Sequence, residues 1–227
     1  MRSTKGRRLS DESRQLRKIG RRQRYHHGDL RRALLDAALR LVETKGSNAL
    51  TLRAAARLAG VSQAAPYRHF SNKEALLAAV AEEGFRALAA AMRHATAASG
   101  GSALDNCGRL GAAYIGFATS HPSHFRVMFG REIANRSAYP SLQEAATKTF
   151  RTLVEAISNG QRAGLMRSGE PEELALLAWA GVHGISALLV DGQRAGGLGK
   201  PVAELAEIIT RGLFLGLGAR PQKNSKG

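Results

Sequence analysis

Apolar residues return every three to four positions along most of this chain, the spacing of helices with one buried face. From Asp29 onward Leu30, Leu34, Ala37, Leu41 and Val42 share such a face, while Arg31, Arg32, Asp36 and Arg40 fall largely elsewhere. Gly46 closes this first helix. A second is predicted from about Thr51 to Leu58, ended by Gly60. Ser62 is placed to cap a third, very short one that reaches His69. Ser71 and Glu74 have the three-residue spacing of a capping box for a fourth, which Leu76, Leu77 and Val80 carry to about Met92. Ser99-Gly100-Gly101-Ser102 reads as a loop. Further helices are expected over roughly 103–119, 141–163, 171–190 and 201–217, with short helical pieces carrying Phe125, Met128 and Phe129 after a break at His121-Pro122. β-branched runs are few, so the fold class is all-α. No internal repeat is present.

Composition narrows the partners. The 227 residues suit a small domain followed by a larger one, and 44% apolar content is enough for a real core. The formal charge of +16 favours a polyanion, either nucleic acid or an anionic membrane surface. Residues 1–24 hold ten Lys and Arg against Asp11 and Glu12, half of the whole excess, and have no apolar stripe. They read as a disordered basic tail, able to lie along DNA phosphates or simply to be solvated. The single cysteine, Cys107, allows no internal disulfide and fits a cytoplasmic location. No apolar stretch of signal-peptide length follows the basic N-terminus. Leu174–Val190 is uncharged but contains Gly181, His183 and Gly184 and is flanked by acids, so a buried helix rather than a membrane span is expected.

Catalytic chemistry finds little support. His26 and His27 are adjacent, a poor chelating geometry, and His121 and His124 lack a neighbouring carboxylate or cysteine in sequence. No H-E-x-x-H, G-x-S-x-G or phosphate-binding glycine loop occurs. Nothing beside Cys107 would lower its pKa. No enzyme activity, metal or cofactor is expected.

The short helices between Thr51 and His69 have the spacing of a helix-turn-helix, with small Ala56 at the crossing and Gly60 in the turn. The second helix of such a unit enters the major groove N-terminus first, which puts Gln63, Ala64 and Ala65 nearest the base edges. Gln63 suits adenine, and an alanine suits a thymine methyl. Tyr67, Arg68, His69 and Lys73 then stand where the flanking backbones pass, as do Thr51 and Arg53 at the start of the preceding helix. Phe70 is assigned to the core. Thr51, Arg53, Ala56, Gly60, Val61, Tyr67, His69, Phe70, Lys73, Glu74 and Leu77 together form a long, specific pattern, and over residues 25–77 the chain resembles the DNA-binding domain of the TetR family of bacterial transcriptional regulators. The resemblance implies an all-helical homodimer with a three-helix DNA-binding domain, a larger ligand-binding and dimerisation domain (here 78–218, before a tail at 219–227), and repression of transcription until a small molecule binds. Pro66 departs from the family, which more often shows an aliphatic residue there.

Trp179-Ala-Gly-Val-His183-Gly184 and the segment His121–Phe129 resemble a W-x-x-x-H-G subtype of the family's C-terminal domain. Trp179 and His183 are neighbours on one helix face. They suit either a plain core or a ligand pocket with Phe117, Phe125, Met128 and Phe129. As in the family, the last two helices are expected to form the dimer contact, with Gly181, Gly184, Gly212 and Gly216 allowing close approach and Leu188, Val202, Leu205, Ile209 and Leu213 supplying apolar area. Paired reading heads would favour a roughly palindromic operator. The alternative is a non-specific nucleic-acid-binding or chromosome-organising protein, for which the basic tail would suffice but the large C-terminal domain would have no purpose.

Overall fold

The computed structural model describes residues 27–97, 102–192 and 200–217. The basic stretch 1–24 and the tail 219–227 lie outside them. Eight helices form among the described residues: α1 (His27–Lys45), α2 (Leu52–Leu58), α3 (Lys73–Ala97), α4 (Ala103–Ser120), α5 (Pro122–Phe129), α6 (Pro140–Arg162), α7 (Pro171–Val190) and α8 (Val202–Leu217). The apolar stripes foreseen along the chain are their buried faces. Leu34, Leu35, Leu76, Leu77, Leu88 and Leu110 are each 2% exposed or less, and each contributes on the order of 1.5–3 kcal/mol by leaving water.

The small N-terminal unit packs α1 against α2 and the first turns of α3. Thr51 caps α2, its hydroxyl accepting from the Ala54 amide at 3.0 Å. Gly60 sits at φ 70°, which a side chain would resist, and turns the chain. The third helix expected to run from Ser62 to His69 does not form. A single 3-10 turn, Ala65–Arg68, stands in its place, and no side chain caps it. Pro66 has no N–H to return to the Ser62 carbonyl, so that carbonyl accepts from Ala65 instead (3.0 Å), one residue too early for an α-helix. The capping box expected at Ser71 also fails. Asn72 Oδ1 accepts from the Ala75 amide at 2.8 Å, and Glu74 is drawn away to accept from the Asn135 amide at 3.1 Å.

Helix α3 continues without interruption into the larger unit, where it packs against α4, α5 and α6. Ser102 and Asp105 form a complete capping box at the start of α4. Pro122 opens α5 at a position where its missing amide costs nothing. Helix α5 crosses α3 at Gly84, where an added Cβ would lie 2.5 Å from the Met128 sulfur and 2.9 Å from its Cγ. Helix α7 is long and apolar enough to cross a membrane by length and composition, yet it packs against α4, α6 and α8. Leu174, Ala175, Ala178, Val182, Ser186 and Val190 form its buried stripe.

Candidate nucleic-acid interface and apolar cavity

Most of the residues assigned to DNA contact are open to solvent. Thr51, Arg53, Gln63, Ala64 and Arg68 are exposed, Ala65 is half-buried, and Tyr67, though large and aromatic, is 54% exposed. Phe70, three residues on, is buried with the Arg31 guanidinium 5.8 Å above its ring. Pro66 is buried under the turn and anchors it. His69 and Lys73 face a different environment. The His69 Nε2 is shielded from solvent and without a hydrogen-bond partner among the described residues. The Lys73 ammonium donates to the Ser47 carbonyl at 2.8 Å, tying the start of α3 to the segment after α1.

The larger unit forms a cavity of about 450 Å³, partly open to solvent, between α3, α4, α6 and α7, with Phe129 and Leu213 completing its wall. Of the proposed ligand contacts, Phe129 and Trp179 line it. Phe117, Phe125 and Met128 do not; they are buried behind it, Phe117 stacked on the His121 ring at 4.8 Å. His183 joins the wall indirectly, through a 2.9 Å hydrogen bond between its Nδ1 and the Tyr114 hydroxyl, which also accepts from Trp179 Nε1 at 3.3 Å. The His183 ring further meets Phe129 edge-on at 4.5 Å and stacks on Phe125 at 5.3 Å. Burial lowers the His183 pKa and raises that of Tyr114. Tyr114, Phe85 and Phe150 are lining residues that the sequence reading missed. Tyr114 lies one turn beyond Leu110 on the apolar face of α4, a position indistinguishable in sequence from plain core. Cys107 also lines the cavity, its thiol pushed up to about 12 by burial.

A short segment links cavity and small unit. Phe129 ends α5, and Gly130–Asn135 follows. Arg136 holds that turn by donating to the Met128 carbonyl at 2.6 Å and the Gly130 carbonyl at 3.3 Å. Within the turn Ile133 is buried, Glu132 accepts from the Ser47 hydroxyl, and the Asn135 amide donates to Glu74. Beside it, Arg32 of α1 bridges Asp36 at 2.8 Å and Glu83 of α3 at 2.7 Å, with His124 of α5 3.8 Å from the same carboxylate.

A small helical unit with an exposed helix-turn-helix, joined to a larger helical domain, defines the class of helix-turn-helix DNA-binding proteins. The comparisons agree. Residues 34–80 match the family described as bacterial regulatory proteins, tetR family, and residues 108–213 match the tetracyclin repressor-like C-terminal domain. The chain belongs to the TetR family of DNA-binding transcriptional regulators, which are not enzymes. A solved protein of unknown function from Rhodococcus sp. RHA1 is 37% identical, with a TM-score of 0.75 over 87% of this chain and 100% of that one. A tetR-family regulatory protein from Rhodococcus RHA1 is 22% identical and shares the fold over 85% of this chain and 98% of its own, with a TM-score of 0.67. The HTH-type transcriptional regulator BetI of Rhizobium meliloti (strain 1021) is 49% identical over 49 residues, 22% of this chain and 24% of the relative. This chain thus spans about a quarter of that relative's length.

Proposed function

We propose that the protein is a cytoplasmic, ligand-responsive repressor that binds a palindromic operator as a homodimer. The observation that carries the reading is the Phe129–Asn135 segment. It starts in the cavity wall and ends in hydrogen bonds to Ser47 and Glu74, the two flanks of the reading head. A ligand that prefers one setting of Phe129 biases the reading head with it. Helix α3, shared by both units, is the second connection.

The dimer reading draws on α7 and α8. Leu176, Leu177, Val202 and Ile208 stand between 39% and 53% exposed. Gly184, Gly212 and Gly216 have open space where a side chain would go. Three of the expected contacts are spent inside the subunit: Gly181 makes room for Leu213, whose Cδ1 would meet an added Cβ at 2.8 Å, and Leu205 is buried.

The test is selection from random duplex DNA at near-physiological salt. A palindromic enriched motif is expected. Tyr67→Ala then weakens binding to all sequences alike, whereas Gln63→Ala changes the preferred sequence. No enrichment, with binding only at low salt, would instead favour the non-specific reading.

A further inference from the structure

We infer that the effector is an uncharged, predominantly apolar molecule, held by shape and dispersion rather than by an ionic anchor. The inference rests on reading the cavity as the effector site. Among the described residues, no lysine, arginine, histidine, aspartate or glutamate lines it. Its polar atoms are largely engaged with the protein itself. The Tyr114 hydroxyl is held between Trp179 Nε1 and His183 Nδ1. The Thr149 hydroxyl lies 2.8 Å from the Ala145 carbonyl and 3.1 Å from that of Phe85. The Cys107 thiol, with its pKa pushed up to about 12, is neutral at physiological pH.

A carboxylate, phosphate or ammonium carried among the apolar lining, away from the mouth, would lose its water and gain no counter-charge, which costs more than its burial returns. On the bordering helix α6, Lys148 is paired with Glu144 at 2.6 Å. The volume of about 450 Å³ is that of an ordinary small-molecule site. FadR of Bacillus subtilis, solved with stearoyl-CoA, shares the fold at 15% identity and a TM-score of 0.69. The wall described here lacks the cations a CoA thioester would call for.

The chain has one tryptophan, and it lines the cavity, so intrinsic fluorescence reports occupancy directly. The intact protein is titrated at pH 7.5 with methyl decanoate, decanoate and decyltrimethylammonium, three probes with a similar apolar body and different charge. Methyl decanoate is expected to bind at least about tenfold more tightly than either ion. Equal or tighter binding of decanoate or of the ammonium probe overturns the uncharged class and leaves the cavity as a ligand site. No change in fluorescence or melting temperature with any probe overturns the reading of the cavity, and the inference with it. Ala146→Phe, which fills the cavity from α6, is expected to abolish the methyl decanoate response with the far-UV circular dichroism unchanged. A retained response would put binding elsewhere and overturn the assignment. The comparison of probes on the unmodified protein stands whether or not this variant folds.

Discussion

Two partly buried imidazoles, His124 and His183, sit at structural junctions of this protein. Burial is the largest influence on both His124 and His183, and it lowers both below the usual histidine value. Glu83 pulls His124 the other way, while His121 and Arg32 reinforce the depression and Asp36 opposes it. As the pH falls below about 6.5 the unfolded chain takes up protons before the folded one, so stability falls through that window and is flat above it for these two groups. Melting temperatures between pH 7.5 and 5.5 are expected to drop, and His183→Gln to flatten the drop. An identical slope in that variant would remove His183 from the account. At this scale the core assignment of Phe70 was readable in sequence, and Tyr67 is exposed as a surface contact requires. His69 and Lys73 were less so. Whether the Lys73 ammonium turns inward depends on the Ser47 segment, which lies 26 residues away.

The elements differ in how firmly local chemistry fixes them. Thr51→Ala removes the α2 cap and should cost about 1 kcal/mol in urea unfolding. Gly60→Ala forces a Cβ into a φ of 70° and should cost a similar amount, about 1 kcal/mol. No loss in either variant would mean that tertiary packing alone holds the turn. The long helices were legible because each repeats its apolar stripe over several turns. The 3-10 turn was not, since four residues show no period and the missing Pro66 amide decides the outcome. At the start of α3 the sequence pattern pointed to Ser71 as the cap, and Asn72 takes that role instead. Asn72 serves because Glu74, the other half of a Ser71 box, is engaged by Asn135, 61 residues further along the chain. Tertiary demand overrode a local pattern there, whereas Ser102 and Asp105, with no such competitor, formed their box.

Across the whole molecule, the Ser47–Glu132 and Glu74–Asn135 bonds couple the two units. Calorimetry of the unaltered protein should give one unfolding transition. Glu74→Ala combined with Glu132→Ala should split it in two, the reading head melting first. A single shifted transition would assign the coupling to α3 alone. The two-unit architecture followed from the sequence, but the cavity did not, because a lining aromatic and a core aromatic carry the same apolar signal. The crossing at Gly84 bears on descent as well as on mechanics. A methyl at position 84 would intrude on a fully buried Met128 side chain, so neither position is free to drift alone. Relatives that carry a larger residue at the counterpart of position 84 should carry a smaller one at that of 128, and the pair should be exchanged together or not at all.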